Sequence, residues 1–308
     1  MIDATFIINL IKTNFNIIPT CITELNTSGT MNMVYLLGFN NRKLIIRLRE
    51  NDIYAENEFM KEQWFSRQCT KIGIPVPRIM HTGKYCNIDF LIEEYIDGIS
   101  GNEYEKKEFV FEKLGMYSRR IKEIPVSGYG VEIADFNNII FTDKFYKSPQ
   151  EQILSNIKAL SSTDRLLDLK VYDSKHILCI KNSFLHLMSQ DLTCVLNHGD
   201  ISLNNTIISP KGIVYWIDFG SVNANSLYSE FANLKTYNKD DLFAFSKGFG
   251  IPITKLKENL DTYKLLSSFD KLRWSLTTKN DECINWYITA ARESYKSFIN
   301  TNVVSQER

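Results

Sequence analysis

The stretch LNHGDISLNNTIISPKGIVYWIDFGSV, residues 196–222, constrains this chain more than any other part of it. Two apolar runs, Thr206 to Ile208 and Ile213 to Ile217, flank Ser209-Pro210-Lys211-Gly212. Pro at the second turn position and Gly at the fourth predict a type I turn, and so an antiparallel hairpin. A hairpin brings the chain back to its starting point. With Ile208 opposite Ile213, Asn205 faces Trp216, and Asp218 lies two residues further on, roughly 7 Å away at about 3.3 Å per residue. His198, Gly199 and Asp200 stand on the segment just before the hairpin.

One cation can therefore reach both Asn205 and Asp218. A carboxylate and an amide oxygen are hard ligands suited to magnesium, which fills the rest of its shell with water and substrate phosphates. Asp200 then sits beside the ion without having to bind it.

The rest of the chain divides in two. Residues 4–12 read as a short amphipathic helix. Met33 to Phe39 and Lys43 to Leu48 read as a hairpin, Glu56 to Ile72 as a helix stopped by Gly73, Pro75 and Pro77, and Phe90 to Ile96 as a further strand. Beyond Gly101 the spacing turns helical: Val110, Leu114, Tyr117, Ile121 and Ile124 share one face, and similar stripes run through Lys175 to Gln190 and Ile284 to Ile299. The expected division is residues 1–97, β-rich, and 98–308, helical, with a ligand cleft between the two.

At 308 residues, with 44% hydrophobic and 23% charged, the chain has enough apolar material for a large core without staples. Lys plus Arg and Asp plus Glu both number 36, so no global field draws it to nucleic acid or an anionic membrane. The six cysteines are scattered without a C-x-x-C pair, which argues for reduced thiols. No apolar run approaches about 18 residues, and the amino terminus lacks the basic start of a signal peptide, so the expected location is cytoplasmic.

An Asp base with Asn and Asp on magnesium, spaced Asp-x4-Asn, matches the parts of a kinase phosphoryl-transfer site. Here the chain resembles the aminoglycoside phosphotransferase and choline kinase family, whose signature is H-G-D-x4-N followed by I-D-F or I-D-W; His198-Gly199-Asp200, Asn205 and Ile217-Asp218-Phe219 match it position by position. The resemblance implies an α+β, two-lobed protein-kinase-like fold and an O-phosphotransferase acting on a small-molecule hydroxyl. ATP or GTP would be the donor and Mg2+ the cofactor, with Asp200 as catalytic base and Asn205 and Asp218 as metal ligands. His198 is expected to be structural.

Within the first lobe, Asn26 to Asn32 resembles a phosphate-covering loop, with Ser28, Gly29 and Thr30 as phosphate contacts. Arg47 stands where the family has a phosphate-gripping Lys; it is always charged but not interchangeable with Lys. Glu58 is its expected helix partner and Glu62, one turn later, the alternative. Phe90 to Gly98 resembles the inter-lobe linker, with backbone groups near Glu94 and Ile96 holding the purine. The acceptor expected first is an aminoglycoside or other antibiotic, then a metabolite alcohol such as choline, ethanolamine, homoserine or a sugar. A catalytically weak nucleotide-binding regulator is the competing class, and a monomer or simple dimer the expected assembly. Trp64, Tyr117, Trp286 and Tyr287 are expected in the core, and Glu230, Asp240 and Asp241 in a solvated acidic cluster.

Overall fold

The computed structural model describes residues 2–25, 32–50, 55–234, 238–278 and 281–302. Its compact units are Met1–Val110 together with Leu203–Val222, and Phe111–Ser202 together with Asn223–Arg308. The expected boundary at residue 97 thus falls later. The hairpin, expected with the helical part, belongs to the first unit because its backbone is hydrogen-bonded there.

The first unit opens with helix α1 (Ala4–Phe15), three residues longer than its spacing predicts. Asp3 caps it by accepting the Phe6 N–H at 2.8 Å, and Asn16 ends it in the left-handed region at φ 53°. A five-stranded antiparallel sheet follows, built from β1 (Cys21–Glu24), β2 (Met33–Phe39), β3 (Arg42–Glu50), β4 (Ile79–Tyr85) and β5 (Ile88–Glu94) in the order β1-β2-β3-β5-β4. Strands β1 and β4 escape the sequence pattern: β1 is largely exposed, β4 is mostly half-buried, and neither carries a clean alternation. Helix α2 (Ala55–Lys71) lies between β3 and β4 in the chain.

Period-two alternation sorts β3 into two faces. Leu44, Ile46 and Leu48 join Ile7, Leu10 and Ile11 of α1 in one core. Arg47 and Arg49 fall on the other face, where Phe59 of α2 packs with Ile79 and Leu91. The two buried arginines of β3 thereby lie on the side of the sheet that α2 covers.

The expected hairpin is present as Thr206–Ile208 and Val214–Trp216, with the Gly212 N–H donating to the Ser209 carbonyl at 2.8 Å across the turn. Its register differs by one from the expected pairing. Ile208 faces Val214, and Asn205 therefore faces Ile217, whose N–H donates to the Asn205 carbonyl at 3.0 Å. Asp218 is then one residue beyond Asn205's partner rather than two. Strand β6 (Ile99–Ser100) pairs with the hairpin, and the Trp216 N–H donates to the Pro75 carbonyl at 2.9 Å. Gly98 permits that close approach, since a β-carbon there would collide with the Ile208 carbonyl.

The second unit is mainly helical. Helices Pro149–Ala159, Ile177–Met188, Ile253–Thr278 and Asp281–Asn302 enclose a core containing Ile153, Ile180, Phe184, Leu266, Phe269 and Phe298. Tyr117 is buried and Tyr287 packs at the core edge, as expected, but Trp286 is 63% exposed. The residue next to a core position on a helix points about 100° away, and the sequence stripe did not resolve the two. Strand Cys194–Asn197 pairs with Asn223–Ser226 and leads into His198-Gly199-Asp200. Cys21, Cys69, Cys86, Cys179 and Cys194 are free thiols.

Candidate active site

In the first unit a single guanidinium organises the site. Arg47 is buried on β3, ion-paired with Glu62 of α2, with its Nε 3.4 Å from Glu93 Oε1 and its Nη1 3.9 Å from Asp218 Oδ1. The expected partner was Glu58. Glu58 instead accepts from Arg49 Nη1 at 2.7 Å, because α2 runs so that its later glutamate meets the earlier arginine of β3. Glu93 was not anticipated; it shares the Arg47 face because β5 pairs Glu93 with Ile45, two residues from Arg47.

Three carboxylates around one guanidinium leave the cluster with an excess of negative charge. Burial is the main force on Glu62, pushing its carboxyl up to about 7 against the pull of Arg47, and the charge of Asp218 adds to the push. Burial likewise raises Glu93. Burial works against the Arg47 charge, but Glu62, Glu93 and Asp218 outweigh it and hold the guanidinium protonated. Glu62 Oε1 is buried with no hydrogen-bond partner, while Oε2 accepts the Phe219 N–H at 3.4 Å. Asp218 has its side chain half-exposed and its backbone at φ 63°, a left-handed conformation that non-glycine residues adopt only where their surroundings impose it. Phe219 anchors it from the next position, fully buried with its ring 4.9 Å from that of Phe65. The unpaired oxygen, the surplus of negative charge and the hard donors of Asp218 and Asn205 together suit a divalent cation such as magnesium.

Asn205 is buried at the end of the short turn Leu203–Asn205 that opens the hairpin. Glu94 closes β5 with its N–H donated to the Arg78 carbonyl at 3.1 Å, so a purine contact there would use its carbonyl. Ile96 follows as a half-buried residue. Ser28, Gly29 and Thr30 lie outside the described residues.

Asp200 belongs to the second unit. Its loop is held by a residue that the sequence reading had assigned to solvent. Glu230, on the short helix Leu227–Ala232, is 1% exposed and accepts from the His198 N–H at 3.2 Å, the Gly199 N–H at 3.1 Å and the Ser118 hydroxyl at 2.9 Å. Burial pushes its carboxyl up to about 7, partly opposed by those donors, the Gly199 N–H first among them. Gly199, at φ 80°, makes the turn that aims both N–H groups at one carboxylate. His198 is fully buried, and its Nδ1 accepts the Asp200 N–H at 3.3 Å. Asp241 is also buried, and of the expected acidic cluster only Asp240 is exposed.

The family model of the phosphotransferase enzyme family matches residues 22–245. The chain belongs to this family, a class of O-phosphotransferases that act on small-molecule hydroxyl groups. Among solved structures, aminoglycoside phosphotransferase APH(4)-Ia is 17% identical with a TM-score of 0.66, over 96% of this chain and 99% of that one. Spectinomycin phosphotransferase APH(9)-Ia, solved with ADP and spectinomycin, is 16% identical with a TM-score of 0.60, over 99% and 97%. A Haemophilus somnus 129PT protein assigned as a fructosamine-3-kinase is 13% identical with a TM-score of 0.62, over 95% and 96%. The expected α+β kinase-like fold is thereby shown. No curated protein sequence matches the chain significantly.

Proposed function

We propose that this kinase transfers the γ-phosphoryl group of ATP or GTP to a hydroxyl of an aminoglycoside or other hydroxylated antibiotic. The observation that carries the reading is the Arg47 guanidinium, buried between Glu62 and Glu93 and reaching Asp218 at the end of the Asp-x4-Asn hairpin. Asp200 orients the acceptor hydroxyl and takes its proton as the oxygen bonds to the γ-phosphorus and the bridging oxygen of the nucleoside diphosphate leaves. Asn205 and Asp218 are the magnesium ligands. When bound, the ion would neutralise phosphate charge and hold the donor in line. Arg47 stabilises charge on the transferred group, Glu62 and Glu93 set its direction, and the Glu94 to Ile96 backbone holds the base.

Neighbours of the fold support the donor and acceptor classes: APH(4)-Ia has been solved with AMP-PNP and hygromycin B. A metabolite acceptor is the second reading, supported by a comparable TM-score, 0.62, to the protein assigned as a fructosamine-3-kinase. No described helix is long and apolar enough to cross a membrane. The protein is taken to work in the cytoplasm, as a monomer or simple dimer.

The test is magnesium-dependent release of ADP or GDP across pools of aminoglycosides, other antibiotics, choline, ethanolamine, homoserine and sugars, with Asp200→Ala as control. Stimulation by an antibiotic pool, lost in the variant, supports the first reading, and stimulation by a metabolite pool alone supports the second. Silence in every pool with nucleotide binding intact would favour a non-catalytic regulator.

A further inference from the structure

Strand β3 presents Arg47 and Arg49 to α2, and α2 answers with Glu58 and Glu62 from one face. Two strand residues advance about 6.6 Å and four helix residues about 6 Å, so two ion pairs fit side by side. Both form. The second of them, Arg49 with Glu58, is well shielded: the arginine side chain is 7% exposed and the glutamate 26%.

The family pattern needs only one such pair, and the second has its own contact. While Glu58 Oε2 takes the Arg49 hydrogen bond, Glu58 Oε1 lies against Gly220, 2.7 Å from where a β-carbon on that residue would stand. Asp218, Phe219 and Gly220 are thus each met by a member of the ladder: Arg47 near the first carboxylate, Glu62 on the second N–H, Glu58 on the third α-carbon. A left-handed Asp218 persists only if its surroundings hold it there.

We propose that Arg49 and Glu58 form a second positioning pair, which seats Gly220 and thereby fixes the Asp218 carboxylate for the metal–nucleotide complex. This rests on the reading of Asp218 as a magnesium ligand. Neither residue touches substrate; both act through the backbone of 218–220. A β-carbon at 220 would press on the Glu58 carboxylate, the movable end of that side chain, and displace it from its seat.

The experiment measures AMP-PNP affinity with and without Mg2+ by calorimetry, alongside thermal melting, in the wild type, Glu58→Gln, Arg49→Lys, Gly220→Ala, the double variant Glu58→Ala/Gly220→Ala, and Asp218→Ala. In Glu58→Gln the magnesium-dependent gain in affinity should fall about tenfold, the lower end for an outer partner of a metal ligand, with metal-free affinity unchanged within about twofold. Arg49→Lys, which keeps the charge, should retain most of the gain. Gly220→Ala should lose more than Glu58→Gln, and removing the Glu58 carboxylate in that background should restore part of it. Equal loss of metal-free and metal-bound affinity, an unchanged gain in both Glu58→Gln and Gly220→Ala, or no rescue in the double variant would overturn the pair's role while leaving Asp218 as ligand. A gain that survives in Asp218→Ala, or is absent from the wild type, overturns the reading of Asp218 and this inference with it.

Discussion

Glu62 and Glu230 are both buried carboxylates pushed up to about 7, and the protein holds them in opposite ways. In the first unit Glu62 is paired with a full charge, the Arg47 guanidinium, with two further carboxylates close by. In the second unit Glu230 meets only neutral donors, two backbone N–H groups and a hydroxyl. The difference teaches where charge is put to use. Around Asp218 the protein keeps a surplus of negative charge, suited to phosphate and cation chemistry. Around Asp200 it brings a carboxylate onto the backbone with no cation beside it among the described residues and uses that carboxylate as a clamp, so the proposed base is set by geometry.

The contrast can be broken most severely at its two aspartates. Asp200→Ala should lower turnover by on the order of a thousandfold, within the usual range for a general base, while magnesium-dependent nucleotide binding persists. Asp218→Ala should reverse that order of loss, abolishing the magnesium dependence of binding. Steady-state kinetics beside calorimetry reads both, and identical profiles for the two variants would sink the division of roles.

Removing Glu62 leaves a buried guanidinium short of its main partner. Glu62→Ala should cost about 3 kcal/mol, as expected for one member of a buried pair, with denaturant melts as the check. A loss below about 1 kcal/mol would mean that Glu93 alone satisfies Arg47.

Glu230 yields a pH signature. Its folded value, about 7, lies above the ordinary 4.5, so its contribution to stability is fully present below about 4.5 and is lost as pH rises through 7. The loss is of order 3 kcal/mol. Glu230→Gln should flatten that part of the stability profile while keeping the fold; an unaltered slope between those limits would refute the clamp's titration. The smallest effect is expected at Lys247, whose pair with Glu112 at 3.0 Å is largely exposed. Lys247→Ala should shift stability by less than about 0.5 kcal/mol in the same melts, which sets the scale against which the buried groups are measured.

Much of the candidate site was legible because it is local. The Asp200, Asn205 and Asp218 set lies within one short stretch, and Pro210 with Gly212 announces the turn between them. Strand β2 begins and ends where its pattern predicts, and β3 extends its expected run at both ends. The hairpin register slipped by one residue because Gly212, left-handed at φ 73°, adds a loop position after the type I turn, so that Ser209 takes Ile213 as its partner, donating its N–H to the Ile213 carbonyl at 3.0 Å. Strand β4 was missed because His81, Thr82, Gly83 and Lys84 are held by pairing to β5 and not by their own preferences.

By itself, then, the sequence determined the kinase-like class and the hairpin, and it singled out Asp200 as the proposed base and Asn205 and Asp218 as the proposed metal ligands, since these depend on turn chemistry and short spacings. Only the tertiary structure decided that Arg47 takes Glu62 and leaves Glu58 to Arg49, for strand and helix periodicities allowed either match and their relative phase selects one. It also decided that Glu230 lies buried under the Asp200 loop. That contact joins residues 112 apart to Ser118 and 31 apart to Gly199, and no local pattern distinguishes a glutamate destined for a clamp from one destined for water.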